Sequence, residues 1–209
     1  MTKRAIVAHY YEIISITVRP GTHPQALAVL RPRLGADENL LACWYSEIGA
    51  LNRILIIRNP GEGATALKAR HDLLTDRSPF GIGEFIVDMS MDTYVSFDFI
   101  PPMRPGAFGP WYEVRHYVLK PDGLAPTIEL WRKAVPGRNA LSPLLAAMTS
   151  VTGAVTRFLH VWPYASLDDR TRLRKKAIDE RLWPPPGGPG HLATMQTDMY
   201  LPADFSPMQ

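Results

Sequence analysis

The sequence predicts an α+β fold in which two ferredoxin-like units, each with the element order βαββαβ, together form an α/β barrel. Three observations predict it. Similar blocks of sequence recur in both halves, strand and helix patterns alternate in the same order in each half, and a proline-rich stretch separates the halves. A chain of 209 residues is long enough for two such units, since domains of roughly 100 residues are common.

The repeated blocks occur in the same order in both halves, at offsets that drift by only a few residues. Residues 11–13 match 112–114, residues 49–55 match 153–159, and residues 92–95 match 198–201. This pattern is typical of one ancestral unit that has been repeated with small loop insertions. Residues 101–106 (Pro-Pro-Met-Arg-Pro-Gly) cannot continue a helix or a central strand, so we predict units at 1–102 and 103–209.

Each half opens with a strand and continues through the same series of elements. The first strands are rich in β-branched and aromatic residues and end at proline-containing turn signals. The first helices carry apolar residues at helical spacing, and Ser166 followed by two aspartates predicts the start of the last helix. The predicted strands are 12–18, 40–47, 52–58, 85–95, 113–119, 144–151, 156–162 and 193–201. The predicted helices are 24–34, 64–74, 124–135 and 166–181.

A four-stranded sheet covered by helices on one face leaves its other face bare, and an apolar bare face needs a second sheet. We therefore expect the two halves to enclose a barrel interior. Strand alternation assigns two sets of side chains to that interior. From the first half they are Tyr11, Ile13, Ser15, Thr17, Asn52, Ile54, Ile56 and Arg58. From the second half they are Tyr112, Val114, His116, Val118, Thr156, Phe158, His160 and Trp162. This mixture of aromatic and polar groups is typical of a ligand pocket rather than a dry core. The aliphatic set is assigned to the helix-covered side: Leu55, Ile57, Leu159 and Val161.

Composition excludes several classes of protein. With 46% hydrophobic and 21% charged residues, the chain has the composition of a soluble globular protein, and no apolar run reaches the length of a membrane span. A net charge of +3 does not indicate nucleic-acid binding, and a single cysteine, Cys43, excludes an internal disulfide. The basic residues 1–4 are not followed by an apolar segment, so we expect no secretory signal and a cytoplasmic location.

Residues 157–170 (Arg-Phe-Leu-His-Val-Trp-Pro-Tyr-Ala-Ser-Leu-Asp-Asp-Arg) resemble the hallmark segment of the NIPSNAP family. Residues 46–52, 112–121 and 205–207 also resemble that family's patterns. The resemblance implies a dimeric α/β barrel, with a homodimer as a candidate assembly. The wider superfamily includes haem-degrading and cofactor-free monooxygenases, ring-closing enzymes and ligand-binding modules, so haem is a candidate cofactor. Residues 54–60 lack the family's His-x-Trp pair, so a site built on that segment is expected only in the second half.

Two histidines are the candidate catalytic residues. His160 and His116 lie on adjacent strands in the expected sheet order, where an imidazole serves as a general base or an axial ligand. Alternatively, each ring is held by hydrogen bonds to its neighbours. Two histidines without a carboxylate on the same face are a weak metal signal, so no metal site is predicted.

The remaining candidates are ligand-binding residues. Tyr112, Phe158 and Trp162 could stack on a planar ligand or simply fill the barrel. Asn52 and Arg58 could orient an anionic or carbonyl-bearing ligand, although Arg58 could equally extend into solvent.

Two further groups of charged residues also have alternative interpretations. Glu12 and Glu113, at equivalent positions, could be paired carboxylates for acid–base work or could form salt bridges, in the case of Glu113 to Arg115 or Lys120. The basic residues of the last helix are interpreted as a solvated face with i,i+4 pairs, and phosphate or RNA binding is the alternative.

The leading functional hypothesis is a small-molecule-binding barrel whose ligand lies chiefly in the second half. An enzyme of this kind would oxygenate, cyclise or isomerise a largely apolar, partly aromatic substrate, with His160 as base and Arg58 or Asn52 orienting it. The alternative is a non-catalytic interaction module whose barrel is filled by its own side chains. Phosphoester hydrolysis is a third hypothesis, for which the sequence offers neither a nucleophile–base pair nor a metal cluster.

Overall fold

A computed structural model describes residues 8–61 and 63–209, so the basic residues 1–4 lie outside the described part of the chain. The elements follow the predicted order twice. The first half contains β1 (Tyr10–Val18), α1 (His23–Leu34), β2 (Leu40–Ile48), β3 (Arg53–Arg58), α2 (Gly63–Thr75) and β4 (Ile86–Ser96). The second contains β5 (Trp111–Leu119), α3 (Leu124–Asn139), β6 (Ala146–Ser150), β7 (Arg157–Tyr164), α4 (Leu167–Asp179) and β8 (Leu192–Pro202).

The eight strands close into a barrel in the order β1-β3-β2-β8-β5-β7-β6-β4. Each half contributes four neighbouring strands, and antiparallel ladders between β2 and β8 and between β4 and β6 join the halves. The barrel, which the family resemblance associates with a dimer, is therefore closed here by one chain. The predicted α+β fold of two ferredoxin-like units is confirmed. In the described part of the chain, no helix has both the length and the hydropathy needed to cross a membrane.

The barrel interior is a packed core drawn from both halves. The indole of Trp44 stacks on the ring of Tyr112, with ring centroids 4.0 Å apart, and both side chains are fully buried. Aliphatic side chains such as Leu55 and Leu159 belong to the same cluster. Burial raises the pKa of Tyr112 to about 12. Tyr112 is therefore part of the core, although a ligand-stacking role was the alternative that we predicted for it.

The predicted facing of the third strands is wrong. In the ladder between β5 and β7, His160 lies opposite Arg115, and His116 lies opposite Leu159. Residues directly opposite each other in a ladder point to the same face of the sheet. His116 and Leu159 therefore point toward the barrel interior, whereas His160 points toward the helices, together with Phe158 and Trp162.

The first half shows the same inversion. Ile54 and Ile56 pack beneath α1, whereas Leu55 and Ile57 belong to the barrel core. The facing predicted for the first strands is confirmed where the core clusters include it: Tyr11 and Ile13 lie in the barrel core, as do Tyr112 and Val114 of the second half.

Candidate functional site: a helix-covered cavity in the second half

A cavity of about 240 Å³ lies between the second-half sheet and its helices, on the face opposite the barrel interior. Its apolar wall is made of aromatic rings, supplied by β5, by α3, by β7 and by the segment after α4. These rings are Tyr117, Trp131, Phe158, Trp162 and Trp183. Trp131 contacts both Phe158 and Trp183 edge-on, with ring centroids 4.7 and 4.6 Å apart. Two of the predicted ligand-binding residues, Phe158 and Trp162, thus meet at a cavity, but beneath the helices.

His160 lies directly behind this wall. It is 1% exposed, and its Nδ1 accepts a hydrogen bond of 2.8 Å from the indole Nε1–H of Trp162. Burial, reinforced by the charge of Arg115, holds the pKa of His160 well below its ordinary value, so the ring is neutral with its proton on Nε2. Nε2 has no hydrogen-bond partner among the described residues. His160 does not itself line the cavity. It is connected to the cavity wall by its hydrogen bond with Trp162, which does line it.

His116 lies on the other face of the sheet. It borders a separate cavity of about 260 Å³, together with Tyr94, Arg157 and Gln196. Burial lowers the pKa of His116 from 6.5 to about 4, against a smaller opposing effect of Asp198. The two histidines are therefore not brought together in one chamber, which corrects the prediction that they point the same way.

Lowering the pH from about 6.5 to about 4 is expected to destabilise the protein. In this range the unfolded chain protonates His116 while the folded protein does not, so the free energy of unfolding falls as pH falls. At about 1.4 kcal/mol per pKa unit, the loss approaches about 3 kcal/mol. Urea unfolding at several pH values should give a shallower pH slope for His116→Gln than for the wild type. The slope of His71→Gln, a change at an exposed histidine, should match the wild type. Equal slopes in all three proteins would contradict the assignment.

A group of arginines surrounds the fully buried carboxylate of Glu113. Arg170 of α4 donates to it at 2.6 Å, while Arg115 of β5 and Arg174 of α4 each lie 3.7 Å from the same oxygen. The salt-bridge interpretation of Glu113 with Arg115 is thus confirmed, whereas Lys120 instead donates to the carbonyl of Gly190.

Helix α4 was predicted to have a solvated basic face, and this is wrong for two of its arginines. The helix begins where predicted, because the Ser166 hydroxyl caps the backbone N–H of Asp169 at 3.0 Å. From that start, Arg170 and Arg174 turn under the helix toward Glu113, whereas Arg172 stays in solvent.

Asn52 and Arg58 do not line this cavity. Asn52 lies in the turn before β3, at a positive φ of 57°, and its side-chain oxygen accepts a 3.4 Å hydrogen bond from the backbone of Gly21. Arg58, at the far end of β3, donates to Glu12 at 2.6 Å, and Arg70 holds the other oxygen of that carboxylate. Arg58 therefore belongs to an ion pair of the first half and does not extend freely into solvent.

The sequence pattern did not predict that α3 contributes side chains to the cavity wall. Its buried face carries Thr127, Trp131, Val135 and Arg138, of which Thr127, Trp131 and Arg138 line the cavity. The helix was predicted over residues 124–135 from the spacing of its apolar residues, but it continues through Pro136 to Asn139. Extending the helical spacing from Trp131 past the proline would have placed Arg138 on the buried face.

Neither cavity fits haem. Cavities of about 240 and 260 Å³ lie just below the roughly 300–1,000 Å³ of drug-sized ligand sites, so they suit a molecule smaller than haem. The Nδ1 of His160 is occupied by Trp162, and the ring packs edge-on against Tyr117 and Trp131. Within residues 8–61 and 63–209, no group of three histidine, cysteine or acidic side chains is arranged to hold a metal ion.

Comparison with known proteins identifies relatives along most of the chain. The NIPSNAP family model matches residues 112–207. Protein NipSnap of Drosophila melanogaster is 24% identical over 182 residues, which cover 81% of this chain and 65% of that protein, just under two thirds of its length. The NipSnap homolog of Dictyostelium discoideum is 22% identical over 191 residues, covering 87% of this chain and 81% of that protein.

Solved structures share the fold over nearly the full length. The crystal structure of an anthrone oxidase-like protein superimposes with a TM-score of 0.62 at 11% identity, covering 93% of this chain and 91% of that chain. At this identity the similarity shows a common architecture. The family model over residues 112–207 and the two relatives support the resemblance that the motifs indicated, so the second half of the chain is similar to NIPSNAP domains.

Proposed function

We propose that the second half binds a small, largely apolar and partly aromatic molecule in the helix-covered cavity. The observation that carries the proposal is the cavity itself, which places five aromatic rings around a concave space beside charged groups. Concave, mostly apolar pockets with a few polar groups are the usual form of small-molecule sites. Much of the barrel interior, by contrast, is packed by side chains such as Trp44 and Tyr112, and the cavity beside His116 has fewer aromatic rings in its wall.

If the bound molecule is also transformed, the reaction classes that suit the site are oxygenation, cyclisation and isomerisation of an aromatic or unsaturated substrate. Trp131 and Phe158 would hold the substrate plane, and the arginines would orient a polar substituent. His160 acts here as a positioning residue, because its Nδ1 fixes the indole of Trp162 at the cavity wall. This role replaces direct proton abstraction from a ligand by His160.

Filling the cavity tests the proposal. Ala177 is 1% exposed on α4 and lines the cavity, so Ala177→Phe should occupy the space of a ligand. We expect trans-cinnamate or its neutral isostere trans-cinnamamide to bind the wild type at one saturable site in isothermal titration calorimetry. Binding should be at least about tenfold weaker in Ala177→Phe, a loss of about 1.4 kcal/mol or more.

The matched control is Ala69→Phe, a change at an exposed alanine of α2, which should bind like the wild type. Circular dichroism establishes that each variant is folded, and Ala177→Leu replaces Ala177→Phe if the larger ring prevents folding. If neither probe binds the wild type, or if the folded cavity variant binds as well as the wild type, the proposed function is wrong.

A further inference from the structure

We infer that the ligand of this cavity is an anion, specifically a small aromatic or unsaturated carboxylate whose charged end lies beside Arg138 and Arg174. The inference rests on the proposed function and adds the chemical class of the ligand. It follows from an excess of positive charge at the cavity wall, where Arg138 is buried and its neighbouring arginines are partly exposed.

The charges around Glu113 do not balance. Arg115, Arg170 and Arg174 all share this one carboxylate within 4 Å. Arg138 has no carboxylate within that distance among the described residues and reaches Glu113 only through the Tyr164 hydroxyl, which lies 3.4 Å from Arg138 Nη2 and donates to Glu113 at 3.3 Å. Four guanidinium groups thus face one negative charge.

Arg138 is the group that most needs a partner. It is 2% exposed, and its guanidinium lies 4.4 Å above the ring of Trp162. Its two hydrogen bonds, to the carbonyl of Ser142 and the hydroxyl of Tyr164, are both 3.4 Å long, beyond the usual range for N–H···O contacts. Burial lowers the pKa of Arg138, but an arginine stays protonated in proteins. A buried cation without a close anion costs free energy that a bound carboxylate would recover.

The first half provides an internal reference for how much charge the fold itself requires. Glu12 occupies the position equivalent to Glu113, and it is held by two arginines, Arg58 and Arg70, at 2.6 and 2.8 Å. Two close guanidinium groups per carboxylate therefore suffice to connect strand and helix in this unit. The second half places three guanidinium groups within 4 Å of its carboxylate, with Arg138 close by. The arginines that line its cavity are Arg115, Arg138 and Arg174.

The polar groups of α3 also indicate how the ligand is oriented. Thr127 begins the buried helix face that Arg138 ends, with Trp131 between them. The Thr127 hydroxyl is buried and has no hydrogen-bond partner among the described residues, although the residue lines the cavity. A planar body against Trp131, with its carboxylate toward Arg138, leaves this hydroxyl for a second polar substituent.

A matched pair of probes separates charge from shape. Trans-cinnamate and trans-cinnamamide have the same number of non-hydrogen atoms and nearly the same shape, and differ in charge. We expect cinnamate to bind the wild type at least about tenfold more tightly in low salt, because charge-assisted hydrogen bonds are roughly twice as strong as neutral ones. The Arg174→Gln variant should lose about tenfold in cinnamate affinity and a clearly smaller factor in cinnamamide affinity.

Arg172→Gln is the control on the same helix, since Arg172 is 66% exposed and pairs with Asp169. It should bind both probes like the wild type. A second variant, Arg138→Met, should also bind cinnamate more weakly than the wild type, once circular dichroism has established that it is folded. Equal affinity of the two probes would overturn the anion inference and leave the proposed function standing, as would unchanged cinnamate binding in Arg174→Gln. Absence of binding by both probes would overturn the two proposals together.

Discussion

Replacing Glu113 by glutamine is expected to lower the free energy of unfolding by about 3–5 kcal/mol. The substitution keeps the shape of the side chain but removes the only carboxylate within 4 Å of Arg115, Arg170 and Arg174 among the described residues. Removing one partner of a buried ion pair leaves an uncompensated charge, and the cost is of this size. Urea denaturation followed by circular dichroism measures the change.

The control for Glu113→Gln is a surface pair of the same chemistry. Asp72 pairs with Lys68 one helical turn away, and its side chain is 57% exposed. Asp72→Asn should change the free energy of unfolding by only about 0.3–0.5 kcal/mol, as exposed pairs of this spacing do. A loss below about 1 kcal/mol for Glu113→Gln would show that the arginines find solvent without their carboxylate, and the argument from unbalanced charge would then fail.

Truncating Trp44 to alanine is expected to lower the free energy of unfolding by about 3–5 kcal/mol, the range for removing a large aromatic side chain from a close-packed core. Trp44 is fully buried, stacks on Tyr112 and donates from its indole nitrogen to the carbonyl of Met208 at 3.3 Å. The prediction tests whether the barrel interior is a packed core rather than a ligand chamber. Urea unfolding supplies the measurement.

Trp183→Ala is the appropriate comparison for Trp44→Ala. Trp183 has the same side chain but is only half-buried, and it lines the helix-covered cavity. Trp183→Ala should lower the free energy of unfolding clearly less than Trp44→Ala does. It should also weaken binding of the cinnamate probe. Equal stability losses at the two positions would contradict the division between a packed barrel and an accessible cavity.

The order of strands and helices was predictable because each element has a local sequence pattern that indicates it. Turn signals after β1 and β5 and the helical spacing of apolar residues recur in both halves, so each copy supports the interpretation of the other. Strand facing was not predictable in the same way. Both faces of β7 are buried, so its alternation does not distinguish the core side from the helix side. Only the pairing register does, and a shift of one residue exchanges the two faces.

The candidate site was predictable in part for the same reason. Phe158 and Trp162 were predicted to bind a ligand in the barrel, and they line a cavity on the opposite side of the sheet. His116 and His160 were expected to share a chamber, and the register that pairs His160 with Arg115 separates them. The arginines could not be found from alternation, since Arg138 lies beyond a proline and Arg174 lies on a helix with many exposed cations.

The two ladders that join the halves have a consequence for the chain as a whole. Without the pairings of β2 with β8 and β4 with β6, each half would present two open sheet edges and an uncovered apolar face. Neither copy is therefore self-sufficient, and the polypeptide should melt in one cooperative step. A sequence change in the first copy that loosens either ladder would therefore destabilise the second copy and its arginine-rich cavity as well.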